Sequence, residues 1–270
     1  MQGSSRAAFA AGRDAFAATV GSGADWSALG EDLFAVTAAL DSSASLRRAL
    51  VDPSRDHTAK RSLVQALFGP RISAAATGLL NVLVSQRWAD DQDLGDATES
   101  LAVEAVVATA EQAGHLDALE DDLFRFGRVV AADSGLRDAL SAQGGDEGVK
   151  AALVEALLAG KASDQTIRLV RQAAICPRDR RFGRVLESYL AVAAMRREQL
   201  TATVTAAVAL DDAQRHRLAA ALSRIYHRAV QITVVIDPGV VGGIRVQVGD
   251  EVVDGTILRR LQEAERALLI

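Results

Sequence analysis

A single cysteine, Cys176, in a chain of 270 residues excludes an intramolecular disulfide and gives no sign of an oxidising compartment. Its expected role is that of a small buried hydrophobe. Aromatic residues make up only 4% of the chain, while alanine is abundant. That balance favours helices packed close together over a barrel or sandwich. No run of about 18 apolar residues occurs, so no direct membrane insertion is expected. The N-terminal stretch lacks the apolar core of a signal peptide and carries charges at helical spacing. Cytoplasmic residence follows as an expectation, with any membrane association made through partners. Basic residues are not in excess: the net charge is −5 and the pI about 5.5, which argues against nucleic acid as the main partner.

Catalytic signatures are missing as well. No Walker loop, G-x-S-x-G or H-E-x-x-H occurs. His57, His115, His216 and His227 are scattered through helical contexts without metal-type spacing, so surface or partly packed histidines are expected. Glu120, Asp121 and Asp122 are adjacent and point in different directions on a helix. They read as favourable charge at a helix N-terminus and not as an acid/base pair. Gly242 and Gly243 precede a strand, whereas a phosphate nest needs a helix to follow. Lys60 and Lys150 lie beside apolar stripes and read as snorkelling surface residues. No catalytic residue, cofactor or metal is therefore expected.

Charge of one sign is absent over a long stretch. Between Arg87 and Arg125 there is no Lys or Arg, while Asp90, Asp91, Asp93, Asp96, Glu99, Glu104 and Glu111 accumulate. Arg168, Arg171, Arg178, Arg180, Arg181, Arg184, Arg196 and Arg197 follow further on. Either these faces pair within one bundle, or one of them is a docking face.

What is present is mostly helix, by apolar spacing and stop signals. A first helix carries Phe9, Phe16 and Val20, with Ser4 and Ser5 as candidate caps and Gly12 on the same face leaving room for a close neighbour. A second, from near Asp25, carries Leu29, Leu33, Val36 and Leu40. Leu46 to Val51 is a short piece stopped before Pro53, and Asp56 to Phe68 resumes the pattern. Ser73 to Trp88 is apolar enough to be buried, with Leu79, Leu80, Leu83 and Val84. A long helix from about Asp93 to Gln112 follows.

The next part repeats this one. Shifted by 90 positions, Asp32-Leu33-Phe34 falls on Asp122-Leu123-Phe124, Leu46-Arg47 on Leu136-Arg137, Lys60 on Lys150 and Leu63-Val64 on Leu153-Val154. Over Asp32 to Leu79, 15 of 48 positions match without a gap, against about four by chance, which signals a repeated supersecondary unit. The expected organisation is a helical domain over 1–198, internally duplicated over about 32–86 and 122–176. A small α/β domain over 199–270 follows it.

In that last part the period changes. Thr201, Thr203 and Thr205 alternate with Ala202, Val204 and Ala206 as in a strand. Asp211 then caps an amphipathic helix with Leu218, Leu222 and Ile225. Val230 to Ile236, Gly243 to Val248 and Val252-Val253 read as further strands, and Ile257 to Leu269 as a closing helix. The fold class is mainly α, with a small C-terminal α/β unit.

The C-terminal residues Ile236-Asp237, Val240, Gly243, Val246, Val248, Gly249-Asp250, Val253-Asp254-Gly255-Thr256 and Leu261 resemble the signature of the delta subunit of bacterial F-type ATP synthases, the oligomycin sensitivity-conferring protein family. Arg197 to Leu200 and the strand and capped helix after them extend the resemblance upstream, and Arg6, Ala7 and Phe9 to Phe16 resemble the family's first helix. Thr256 stands where the family usually has serine, which keeps the hydroxyl. The duplicated block departs from the usual single bundle and looks like extended actinobacterial forms.

The resemblance implies a non-catalytic stator subunit, one copy per complex. It would join the N-terminal segment of an alpha subunit to the C-terminal region of the b subunits on the cytoplasmic side of the membrane. Phe9, Arg13, Phe16, Val20, Leu79 and Leu83 are the expected alpha-facing residues. Gly243, Gly249, Asp250, Asp254, Gly255, Thr256, Leu258 and Leu261 are the structural signature on the b-facing side. Two other classes stay open at this point: a helical-repeat adaptor unrelated to ATP synthase, and an enzyme with a deep polar pocket in the strand-turn region.

Overall fold

The computed structural model describes residues 3–20, 25–142, 146–198, 200–226, 230–240, 242–248 and 251–254. The chain begins with α1 (Ser4–Val20), α2 (Trp26–Ser42), α3 (Ala44–Val51), α4 (His57–Leu67), α5 (Ala74–Val84) and α6 (Asp91–Gln112). It continues with α7 (Leu116–Ala132), α8 (Ser134–Ser141), α9 (Glu147–Leu158), α10 (Asp164–Ile175) and α11 (Phe182–Glu198). The starts of α2 to α5 recur at α7 to α10 after a shift of 90 residues, at Leu116, Ser134, Glu147 and Asp164. The mainly helical architecture with a small α/β unit is the one expected from the sequence.

Caps explain why these helices begin where they do, because each side-chain oxygen satisfies one of the free N–H groups of a first turn. Ser43 accepts from the Leu46 amide, Asp56 from Thr58 and Ser73 from Ala76. The second block repeats the device: Asp133 accepts from Leu136, Asp146 from Gly148 and Ser163 from Thr166. Ser5 does something else. It is buried inside α1, and its Oγ accepts from the Ala89 amide at 2.8 Å, tying α1 to the start of α6.

Both blocks are built on α6, in which fourteen of 22 residues are buried. Those residues point in all directions around the axis, from Leu94, Ala97, Leu101 and Ala108 to Val103, Val106, Val107 and Ala110. A helix buried all round lacks the polar stripe of a surface helix, and its many Ala and Val residues let neighbours approach from every side. Leu29, Leu33, Val36 and Leu40 of α2 are each at most 1% exposed. Leu79, Leu80, Leu83 and Val84 of α5 are likewise buried, although α5 stops at Val84, before Trp88.

Lys60 and Lys150 correct the expectation of snorkelling: both are buried. Lys150 Nζ donates to the Ala142 carbonyl at 2.6 Å, at the end of α8. Burial lowers the Lys60 pKa, with Asp52 acting against it. Lys150 thus closes a helix end from inside the fold.

The chain divides into two units, one of residues 1–16 and 25–196, the other of 17–24 and 197–270. The second contains β1 (Leu200–Ala206), α12 (Asp212–Tyr226), β2 (Val230–Ile236), β3 (Ile244–Val248) and β4 (Glu251–Asp254), with strand order β2-β1-β3-β4. β1 pairs parallel to β2, with Ala202 opposite Ile232, and antiparallel to β3, with Val204 opposite Val246. β4 completes the sheet antiparallel to β3. The parallel pair needs a crossover, and α12 supplies it. Ala202, Val204, Leu222, Val230, Val246 and Val248 form the core, with Leu210, Leu218, Ile232 and Ile244 against it. Ile225 does not join them; it is 67% exposed.

In α1, Gly12 is where the close approach falls. A Cβ there would lie 2.5 Å from Leu83 Cδ2 and 3.6 Å from Leu101 Cδ1, and Leu83 is itself enclosed. Gly12→Val is expected to cost about 1–3 kcal/mol, the usual effect of overpacking. A thermal unfolding midpoint unchanged from wild type would contradict that contact.

Candidate interaction surfaces

Three of the expected alpha-facing side chains, Phe16 of α1 and Leu79 and Leu83 of α5, lie in the interior of the helical unit. Phe16 is fully buried, its ring 4.8 Å from that of Trp26, and Leu79 and Leu83 are enclosed as well. These three would support a partner groove from beneath and not line it. Phe9 and Arg13 are partly exposed, and Arg13 reaches Glu104 at 3.6 Å. The side chain of Val20 lies outside the described residues.

On the other side of the signature, Gly242 and Gly243 have φ of +65° and +80°, a conformation that side chains with a Cβ rarely adopt. β3 starts directly after them. Upstream, Asp237 folds the turn by accepting from the Gly239 amide at 2.8 Å, and its own amide continues the ladder to the Ala206 carbonyl. The backbone of Asp254 closes β4 opposite Arg245. Gly249, Asp250, Gly255, Thr256, Leu258, Leu261 and the expected closing helix lie outside the described residues.

The acidic stretch and the later arginines meet within the helical unit. Glu99 of α6 is 3% exposed and accepts from three residues more than 75 positions away. Tyr189 Oη donates to it at 2.7 Å, Arg180 Nη2 at 2.7 Å and Arg178 Nη1 at 3.1 Å. Arg178 also bonds Asp96 at 2.7 Å and Asp41 at 3.0 Å. Its guanidinium occupies the space beside Gly95, where a Cβ would sit 2.6 Å from Nη2.

Electrostatics follow from this enclosure. Burial opposes the charge of Arg178, but Asp41, Asp96 and Glu99 outweigh it and raise its pKa. Burial together with Glu99 pushes the Tyr189 hydroxyl well above its usual range. Desolvation raises Asp41 despite Arg178 beside it. Cys176, at the end of α10, is half-buried rather than fully enclosed, and burial raises its thiol pKa, which disfavours the reactive thiolate.

Arg178 and Asp179 hold φ of 53° and 59° without being glycine, a strain of about 1–3 kcal/mol each that the surroundings must offset. A second cluster uses Glu104, which lies 3.7 Å from Arg196 in addition to Arg13, while Arg196 Nε bonds Glu111 at 2.7 Å. The run Glu120, Asp121, Asp122 sits in the second turn of α7, not at its N-terminus, and Arg125 approaches Asp122 at 3.2 Å and Asp121 at 3.8 Å. His57, His115 and His216 are exposed. Phe124, Val129 and Val149 expose large apolar surface that reading the sequence for apolar stripes did not single out.

This is a helical scaffold that spends its buried charge on internal clamps and carries an appended four-stranded α/β unit. The family model described as "ATP synthase delta (OSCP) subunit" matches residues 103–268, a span that takes in α7 to α11 and the α/β unit. The chain is 54% identical over 246 residues to an ATP synthase subunit delta of Kineococcus radiotolerans, covering 91% of this chain and 89% of that one. It is 45% identical over 267 residues to that of Streptomyces avermitilis, covering 98% of each, and 40% identical over 269 residues to that of Nocardia farcinica, covering 99% and 100%. The chain belongs to the ATP synthase delta (OSCP) family.

Two experiments test the clamps. Asp179→Gly relieves backbone strain at an exposed position and should leave stability within about 1 kcal/mol of wild type. Arg178→Gly keeps the backbone freedom but takes from Asp41 its guanidinium partner and from Glu99 one of its three donors, and should cost about 3–5 kcal/mol. Equal effects in denaturant unfolding would contradict the clamp. For Glu104, desolvation raises the folded pKa above 4.5 despite Arg13 and Arg196. A raised carboxyl contributes stability that is full below its unfolded pKa and lost as pH rises through the folded one. The stability of Glu104→Gln relative to wild type should therefore rise as pH increases from below 4.5; a pH-independent difference would contradict the shift.

Proposed function

We propose that this protein is a non-catalytic stator subunit of an F-type ATP synthase. It joins the N-terminal segment of an alpha subunit to the C-terminal region of the b subunits, on the cytoplasmic face of the membrane and in one copy per complex. The observation that carries this is the match over 98% of both chains to a relative named ATP synthase subunit delta. No helix among the described residues is long and apolar enough to cross a membrane, which agrees with attachment through other subunits. A stator must resist torque, and strapping helices together by enclosed ion clusters suits that task because a buried charge cannot be released alone.

The 90-residue repeat is read as a duplication of the helical block. The second block is the counterpart of the family's usual bundle, because the matched span 103–268 contains it and leaves out α2 to α5. Partner helices dock by burying apolar stripes in grooves. Phe9, Arg13 and Val20 are assigned to the alpha-facing side, with Phe16, Leu79 and Leu83 beneath it. Gly243, Gly249, Asp250, Asp254, Gly255, Thr256, Leu258 and Leu261 are assigned to the b-facing end.

Affinity purification of the tagged protein from membranes in mild detergent should recover alpha, beta and b subunits in stoichiometric amounts; their absence sinks the stator reading. Deleting from Gly249 onward should release b while alpha is retained. Retention of b with loss of alpha would reverse the two ends.

A further inference from the structure

The same acidic and aromatic pair occurs twice in this fold, once covered and once open. In α2, Phe34 is 3% exposed, and Arg168 reaches over it from α10 with Cζ 4.5 Å from the ring centroid. Glu31, one turn earlier on the same flank, clamps that guanidinium through both carboxylate oxygens, and Gln172 Oε1 accepts from its Nη1 at 3.0 Å. Stacking on the ring with a two-pronged carboxylate contact is a geometry that suits arginine and not lysine.

Ninety positions on, α7 presents Asp121 and Phe124 at the places of Glu31 and Phe34. Here the ring is 55% exposed and the Asp121 side chain 78% exposed. The only arginine beside that carboxylate in the described structure is Arg125, itself 69% exposed and 3.8 Å away, a surface pairing of little strength. The position equivalent to Arg168 in the first block is Gly78, so the repeat supplies no guanidinium for the second site.

We propose that this flank of α7 docks an amphipathic helix of another subunit, with an arginine of that helix stacked on Phe124 and paired with Asp121 as Arg168 is on Phe34 and Glu31. The inference deepens the stator reading and rests on it for the identity of the assembly. Arg128 lies one turn beyond Phe124 and is exposed, so an acidic residue about one turn from the partner's arginine fits opposite it.

The test places a photoreactive benzoylphenylalanine at position 124 of the full chain and irradiates intact cells before the tagged protein is purified and its crosslinks are mapped. The expected crosslink joins position 124 to a helix of another ATP synthase subunit with an arginine within one turn of the attachment point. Asp121→Lys in the same background should lower its yield by about tenfold, and Asp121→Glu should preserve it. A crosslink to residues 255–270 of the same chain, to a second copy, or to a segment without arginine overturns the proposal, as does no crosslink or insensitivity to Asp121→Lys. Recovery of alpha, beta and b alongside such a result leaves the stator reading standing. An Asp121-sensitive, arginine-bearing helix from a protein outside the ATP synthase keeps the docking chemistry and overturns the stator reading instead.

Discussion

Glu99 is the group on which the placement of the second helical block depends. A carboxylate taken out of water at the middle of a long helix is costly unless its lone pairs are filled. Glu99 is filled from the distant part of the chain, by Arg178 and Arg180 of the loop after α10 and by Tyr189 of α11. Those three donors cannot reach it unless α10 ends, the loop turns and α11 begins at the right height. The left-handed backbone at Arg178 and Asp179 is the local cost of that turn. A buried cluster of this kind adds less net stability than an apolar core would, but it tolerates few alternative packings.

The same reasoning accounts for α6. It serves as the last helix of the first block and, by the 90-residue spacing, as the counterpart of α1 for the second. Enclosure on all sides removes the room for long side chains, which explains the Ala and Val content of its middle and the position of Gly95 against Arg178. Two of its acids, Glu99 and Glu104, are buried with it. Glu104 is held between Arg13 of α1 and Arg196 of α11, so one carboxylate touches the first and the last helix of the helical unit.

Much of the helical layout was legible because its signals are local. Asp56 and Ser73, where helices were expected to start, cap α4 and α5, Pro53 follows the end of α3, and the strands β1 to β4 fall where the period changes from helical to alternating. The acidic stretch was ambiguous for a physical reason: Glu99 and Glu104 look like solvated surface until arginines more than 75 residues away are placed beside them. Lys60 and Lys150 misled in the same way, since the partner of Lys150 is a helix-end carbonyl and not a residue type that a pattern reveals. Of the expected alpha-facing residues, Phe16, Leu79 and Leu83 were chosen for apolar spacing. That spacing marks burial equally well whether the cover is the chain itself or a partner.

Phe34 and Phe124 separate those two kinds of cover. They share residue type, helix position and preceding acid, and they differ in exposure by more than half of the side chain. Intrinsic propensity and local packing are therefore matched, and what differs is whether a third element reaches the flank. Among the described residues Arg168 of the second block supplies that element to Phe34, and no arginine is stacked on Phe124. An unchanged aromatic on an outer flank keeps an apolar surface in water that a polar side chain would avoid at no cost to the core. The retained phenylalanine is thus explained by what covers it in an assembly, and the acid one turn before it sets the charge of that cover.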